Sequence, residues 1–413
     1  MTRIAIVGLN AYPAVNPQAS KNVGGLENFA WTFARSLASD PRWQVSLLLR
    51  HHRSIPEESL DGVKFVKYIE PLRNIRLHVG RCVRRQEQFP FLKVQIWNWS
   101  LLWKIPLLAI VKLLRLKIPH QERLMAMLIE SECDVVVALG INADSAAAIH
   151  AAKVLGKRVW LWLRSNGDID ERFFADDTFI DPYAVTSQDC RYCVSQVKGI
   201  LCQTQSQRDR LKEVANRDGV IVRNPVDLAR FRLPLASFEE RDRVLWLGRM
   251  DRFHKRPLLA IEIARQCPDI TFEIIANRGD AAVEAEVRVN CPSNVVLRDY
   301  VPRSEIGENY RRSRIFLSTG SAAHEGFPNV FLESAACGTP IVSLEDFDGF
   351  LADSECGIDC FNDVNRAAAM IRRLWQDRAE WLRLSERGRP YVEQHYSPDA
   401  CVAAFQDAIS ESL

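Results

Sequence analysis

Two apolar runs of strand length that each close on a glycine, Arg3-Ile-Ala-Ile-Val-Gly8 and Val244-Leu-Trp-Leu-Gly248, do most to limit what this chain can fold into. A short continuous apolar run suits a strand covered on both faces, the situation in a parallel sheet. After the first run, a polar loop with Pro13 and Pro17 leads to Gly24-Gly25, and then Leu26, Phe29, Ala30, Phe33 and Leu37 recur at helical spacing. Strand-length runs follow at 44–49, 63–69, 134–139, 158–163 and 199–203, alternating with polar loops and helical patterns. The second run opens another such alternation: helix 257–266, strands 270–276 and 295–297, helix 304–312, strand 315–317, helix 329–336 and strand 340–343. The expectation is an α/β chain of two doubly wound, Rossmann-like domains facing each other across a cleft, with ligands at the carboxyl ends of the strands. The first domain is set at 1–235 and the second at 236–392. Pro234 and the charged stretch 239–243 read as the linker, and a final helix within 393–413 is expected to pack back on the first domain.

Composition removes other classes. The chain has 413 residues, 47% hydrophobic and 26% charged, which disfavours disordered, collagen-like and multi-span membrane proteins. Its longest stretch without Asp, Glu, Lys or Arg, residues 4–20, contains two prolines and is a poor membrane span. The apolar run after Arg3 is too short for a signal-peptide core, so a cytoplasmic protein is expected. Eleven scattered cysteines then read as reduced thiols. Cys190-Arg-Tyr-Cys193 with Cys202 could hold part of a zinc site, but no second paired motif stands near it. No G-x-G-x-x-G follows any strand, so a nicotinamide dehydrogenase lacks support.

The segment richest in chemistry is Glu325-Gly-Phe-Pro-Asn-Val-Phe-Leu-Glu333. Gly326 allows close approach of backbone to a ligand, and Pro328 suits the first position of a helix. The helix N–H groups, including those of Asn329 and Val330, are expected to face the cleft with the positive end of the helix dipole, where phosphate or sugar hydroxyls bind well. Glu333 is placed on the first turn. Read alone, it could simply complement that helix terminus, and Glu325 could be a surface acid.

The flanking residues decide between these readings. The segment resembles the E-x7-E signature of the retaining family 4 glycosyltransferases, which have the two-domain GT-B fold. Trp246-Leu-Gly-Arg249 with Lys255 is similar to that family's diphosphate-binding Arg and Lys, Asn224-Pro-Val-Asp227 with Phe231 to its interdomain segment, and Gly24-Gly25 to its N-terminal glycine loop. The resemblance implies that Arg249 and Lys255 bind the diphosphate of a nucleotide sugar. It implies that Glu333 takes the ribose hydroxyls, and that Glu325 binds the sugar and stabilises oxocarbenium character. The backbone at Gly326, Phe327, Asn329 and Val330 would hold sugar and phosphate, with Gly24 and Gly25 opposite. No metal or other cofactor is expected, because the two cations can answer the leaving-group charge.

Departures from the family pattern stand beside these matches. Lys255 falls six residues after Arg249 rather than five, and Pro328 replaces a common glycine. The histidine that ends a central strand in many relatives is missing; Arg164, Ser165 or Asn166 stands there instead, and His324 is a further candidate for the acceptor side. Asp168-Ile-Asp170 spells the metal signature of the other glycosyltransferase fold and reads here as a loop or helix start. A nucleotide-sugar epimerase of the same fold and a non-catalytic membrane-assembly subunit are the competing readings.

Charge is unevenly spread. The net charge is +2, yet residues 73–117 carry ten basic residues against the single acid Glu87. Within that region Phe89, Phe91, Trp97, Trp99 and Trp103 alternate with Lys93, Lys104, Lys112, Arg115 and Lys117. Such a composition suits an anionic membrane surface, with Arg81, Arg84 and Arg85 as lipid contacts and the tryptophans as anchors. A core helix edged by lysines is the alternative, and Pro106 and Pro119 are expected to break any long helix. The partners inferred are a nucleotide sugar, a glycan or lipid-linked acceptor of the surface-polysaccharide or lipopolysaccharide type, and an anionic membrane face, with no nucleic acid.

Overall fold

Strands made of the expected apolar runs form two separate sheets in a computed structural model, which describes all residues except 17, 19–23, 52–54, 86–91, 95, 115–119, 182–183, 234–236, 278, 300 and 411–413. The first sheet runs, edge to edge, Val220–Ile221, Gly199–Cys202, Arg158–Trp162, Val135–Leu139, Thr2–Val7, Trp43–His51, Val63–Ile69 and Ser59–Leu60. Among the described residues of this sheet only the pairing of Ser59–Leu60 is antiparallel. The second sheet is wholly parallel and runs Val295–Arg298, Phe272–Asn277, Arg243–Arg249, Ser313–Ser318, Ile341–Ser343 and Gly357–Asp359. Alternation along each strand divides the core: Ala5 and Val7 point to one face of the first sheet, and Ile4 and Ile6 to the other. The architecture is GT-B, two Rossmann-like domains.

In each sheet the chain begins in the middle and winds outward in both directions. The strand order therefore reverses beside Thr2–Val7, against Val135–Leu139, and beside Arg243–Arg249, against Ser313–Ser318. The carboxyl ends of strands at such reversals are where open α/β sheets leave a crevice. Gly8 to Asn10 follow the first of these strands; Thr319 to Glu325 follow the last.

The domains exchange chain differently from the expected boundaries. Val226 and Phe231 pack into the core of the second domain, and the Val226 N–H donates to the Tyr396 carbonyl at 3.0 Å, so the second domain begins before residue 235. Helix Arg378–Tyr396 also belongs there, with Val392 and Tyr396 in that same core. The return occurs after Ser397, where Pro398 opens helix Pro398–Ser410. Phe405 from that helix stacks on the buried Trp162 at 5.8 Å between ring centroids, and Phe29 and Phe33 pack on Trp162 edge-on at 4.8 Å. Burying Phe405 contributes about 1.5–3 kcal/mol to holding the ends of the chain together.

The basic region forms an excursion between Val63–Ile69 and the rest of the first sheet. Helix Arg73–Cys82, the antiparallel pair Val83–Arg85 with Leu92–Val94, and helix Leu101–Leu113 make it up. Pro106 does not break the last of these helices but lies inside it. It forfeits the hydrogen bond to the carbonyl four residues earlier and crowds that carbonyl, at about 3 kcal/mol, yet the helix continues through it.

Candidate active site

The loop after strand Arg243–Arg249 folds around one carboxylate. Asp251 accepts from the Arg249 Nε at 3.0 Å and from the backbone N–H groups of His254 at 2.6 Å and Lys255 at 3.3 Å, with the His254 ring at 3.3 Å. Burial favours its protonated form, but these hydrogen bonds and the Arg249 charge hold Asp251 well below the usual carboxylate range. The extra residue between Arg249 and Lys255 is thus accommodated by a turn that Asp251 organises. Thr319 closes the other side: its hydroxyl donates to the Lys255 carbonyl at 2.6 Å and accepts from Trp246 Nε1 at 2.8 Å.

Lys255 points across this turn to Glu325, its Nζ 2.7 Å from Oε2. The carboxylate is buried, 9% exposed, and its Oε1 has no hydrogen-bond partner. An orphaned oxygen on a buried carboxylate is costly unless a ligand group completes it. Arg249 remains 45% exposed on its side chain and lies at the cleft. The three groups expected to carry the chemistry are therefore brought together.

The signature helix spans Asn329–Ala336 as expected, with Pro328 its N-cap rather than its first residue. Glu333, the fifth residue of that helix, sits on the second turn, not the first, and does not complement the helix terminus. Its carboxylate is buried between Arg303, 3.0 Å from Oε1, and the Tyr310 hydroxyl, 3.1 Å from Oε2. Burial and the adjacent Glu333 charge push the Tyr310 phenol well above its ordinary value, so it stays a donor. Among the described residues, the backbone N–H groups of Asn329 and Val330 meet no acceptor. The Phe327 N–H differs from the expectation, because it donates to Gln203 Oε1 of the first domain at 2.9 Å. Gly326 likewise makes room for protein: a β-carbon there would meet Gln203, Gln207 and the Arg164 carbonyl.

From the first domain, Gly24 caps helix Gly25–Ala38, and Gly25 lies opposite the Asn329 side chain. Glu27, on the first turn, feels both Arg73 and Arg249, although burial dominates and raises its pKa. Arg164 lies on the Phe29 ring at 3.5 Å and donates to Asn224 Oδ1 at 3.0 Å; burial pushes its pKa down to about 9. Asn224 in turn donates to Asn329 Oδ1 at 2.8 Å. Ser165 Oγ donates to the His324 carbonyl at 2.8 Å and Asn166 Nδ2 to the Ala322 carbonyl at 2.7 Å. These two candidates for the acceptor side thus clamp the loop that carries Glu325, and the exposed His324 ring packs against Phe253 and His254. Gln203 went unnoticed in the sequence, though a buried amide at the carboxyl end of a parallel strand was the available signal. A small cavity lies between the domains, lined by Asn28, Thr32, Pro225, Arg303, Asn329 and Glu333.

Asp168 accepts three backbone N–H groups, from Arg164, Ser165 and Ile141, and Asp170 pairs with Arg172 at 2.7 Å. Among the described residues no cluster of His, Cys, Asp or Glu could hold a metal ion. Cys190, Cys193 and Cys202 are buried free thiols, and burial pushes the last two up to about 12. Of the membrane candidates, Trp97, Trp99 and Trp103 are exposed. The side chains of Arg81, Arg84 and Arg85, together with Phe89, Phe91, Arg115, Lys117 and Pro119, lie outside the described residues.

Known proteins give an independent comparison. Residues 241–377 match the family model for Glycosyl transferases group 1. Sucrose-phosphate synthase from Thermosynechococcus elongatus aligns over 100% of this chain and 99% of its own, with a TM-score of 0.68 at 14% identity. A TarM variant from S. aureus, solved with fondaparinux, alpha-GlcNAc-glycerol and UDP, aligns over 99% of both chains with a TM-score of 0.68 at 12% identity. HepE from Anabaena, solved with UDP-glucose, aligns over 100% of both with a TM-score of 0.65 at 12% identity. Likeness at these identities establishes the GT-B fold. No curated protein matches the chain by sequence. The domain match and the fold together support a glycosyltransferase.

Proposed function

We propose that the protein is a retaining glycosyltransferase of the family 4 type, moving a sugar from a nucleotide-diphosphate sugar to a glycan or lipid-linked acceptor in surface-polysaccharide or lipopolysaccharide assembly. The observation that carries this reading is the buried Glu325 carboxylate, with one oxygen on Lys255 and the other without a partner, beside Arg249 and the open N–H groups of Asn329 and Val330. Arg249 and Lys255 meet the diphosphate, Glu333 the ribose and Glu325 the sugar. As the anomeric C–O bond breaks, its electron pair passes to the leaving phosphate oxygen. The acceptor oxygen bonds to the same face of the anomeric carbon, and its proton goes to the diphosphate, so no side-chain base is needed. Charge growing on the leaving group is answered by two cations held in place beforehand. The UDP and UDP-glucose held by structural neighbours make uridine nucleotides the first donors to try.

Titration calorimetry with UDP in excess chelator tests the donor site and the absence of a metal together. Binding is expected to persist in chelator and to weaken about 10-fold or more in Arg249→Ala, the scale of one charge-assisted contact. Binding that requires added magnesium or manganese, or that ignores the substitution, contradicts the assignment.

The excursion supports a peripheral membrane location. Trp97, Trp99 and Trp103 are 58%, 76% and 54% exposed, and Leu102, Ile110 and Leu113 are 60%, 53% and 81% exposed, with Lys93, Lys104 and Lys112 among them. That many exposed apolar side chains in one region mark a contact surface. Among the described residues no helix is long and apolar enough to cross a membrane, and the proposed contact is with the surface of one, on its cytoplasmic face. Co-sedimentation should show binding to anionic vesicles that weakens with salt and drops several-fold in Trp99→Ser with Trp103→Ser. Equal indifference to neutral and anionic vesicles would remove this location.

A further inference from the structure

Helix Arg73–Cys82 leaves the carboxyl edge of the first sheet and brings a guanidinium to the cleft. Arg73 Nη2 donates to Asn10 Oδ1 at 2.6 Å, and Arg50 Nη2 donates to that same oxygen at 3.1 Å. Two like charges therefore converge on one neutral acceptor. The charge on Arg50 is answered by Asp144 at 2.8 Å and Glu70 at 3.8 Å, and Glu70 also pairs with Arg76. His120 shares Asp144 at 2.9 Å. Arg73 is different: among the described residues it forms no ion pair, although it is half-buried and no acid stands in the first turn of its helix. Its electrostatic surroundings are Asp144 and Glu27 at longer range, opposed by Arg50, and burial together with Arg50 disfavours its charge.

A half-buried guanidinium with only an amide to meet is poorly compensated, because burying charge is tolerated chiefly where an opposite charge completes it. Its position gives it a purpose. Asn10 follows strand Thr2–Val7 at the point where the order of the first sheet reverses, the place at which such a sheet receives a ligand. Glu27 lies within the fields of both Arg73 and Arg249, so this edge faces the donor loop across the cleft.

We propose that Arg73, seconded by Arg50, binds a phosphate group carried by the acceptor, and so restricts acceptors to phosphate-bearing glycosides or lipids. The planar fork of guanidinium donors matches phosphate oxygens in pairs. The acceptor hydroxyl is thereby held on the Arg73 side of the cleft while the donor sugar is held at Glu325 from the other. The excursion that carries the exposed tryptophans begins at this same residue. This inference rests on the glycosyltransferase reading, and the experiment separates the two.

The full-length protein is first saturated with UDP, which fills the donor side and reports folding. Glycerol 3-phosphate, dihexanoyl phosphatidic acid and glucuronate are then titrated in turn. Binding of one or both phosphate probes, weakened about 10-fold or more in Arg73→Gln and less in Arg73→Lys, with UDP affinity within about twofold of the parent, supports the site. Binding of phosphatidic acid alone assigns the phosphate to a lipid; binding of glycerol 3-phosphate alone assigns it to a soluble acceptor. Three results overturn it: no phosphate binding to the UDP-loaded parent, glucuronate binding as tightly as phosphate, or loss of UDP affinity in Arg73→Gln matching the loss of phosphate, which would move Arg73 to the donor side. Failure of the parent to bind UDP at all refutes the donor reading instead.

Discussion

Lys255→Ala is expected to lower kcat about 100- to 1000-fold, the range observed when one preorganised donor to a developing negative charge is removed. Two effects combine. The leaving diphosphate loses a cation, and Glu325, which keeps Oε2 on Lys255 at 2.7 Å and has no partner for Oε1, becomes a buried carboxylate with neither oxygen answered. An uncompensated anion beside a diphosphate raises the barrier further, so kcat should fall more than KM rises. Glu325→Gln keeps the shape of the side chain and removes its charge. Combined with Lys255→Ala it should cost less than the product of the single losses, since the two side chains act as one unit. Steady-state kinetics on the four proteins of this cycle checks the claim, and strictly multiplicative losses would show that the pair does not function together.

Arg241→Leu should destabilise the second domain by about 3 kcal/mol, judged from the usual cost of leaving buried polar groups without partners. Arg241 is 2% exposed and meets no carboxylate among the described residues. Its Nη1 instead donates to the carbonyls of Ser313 and Gly338, each at 3.2 Å, and to the Thr339 hydroxyl at 3.1 Å, with the guanidinium over Trp381 at 4.8 Å. Gly338, at φ +59°, ends the signature helix in the left-handed conformation, so Arg241 caps the terminus opposite the one that faces the cleft. Burial pushes its pKa down to about 10, which leaves it charged at neutral pH. Leucine fills much of the volume and answers none of those acceptors. Urea unfolding should show an earlier transition, and UDP, by binding only the folded domain, should restore part of the loss.

The sequence made one side of the site more readable than the other, for a physical reason. Arg249, Lys255, Glu325 and Glu333 sit within short segments where a strand end, a turn and a helix start follow one another, so local pattern places them. Residues whose role is to touch the opposite domain carry no such local mark. Ser165 and Asn166 read as acceptor candidates because they end a central strand, and only the facing loop reveals that they hold the Ala322 and His324 carbonyls. Gln203 and the pairing of Asn224 with Asn329 depend on residues more than a hundred positions apart in the chain. Glu333 lies on the second turn although the helix spans the residues expected, because a turn takes only 3.6 residues and Glu333 is the fifth residue counted from Asn329. Pro106 misled because proline is judged by its average cost, and one missing N–H did not stop helix Leu101–Leu113.

The measurement that bears most directly on the account is the stereochemistry of transfer. Proton NMR of the glycoside formed from a nucleotide α-sugar that the protein turns over reads the anomeric configuration without reference to any structure. The account predicts an α-glycoside from the parent protein in the presence of chelator, formed far more slowly by Lys255→Ala. A β-glycoside would contradict front-face displacement and the role given to Glu325, and an equal rate in Lys255→Ala would place the chemistry elsewhere in the cleft.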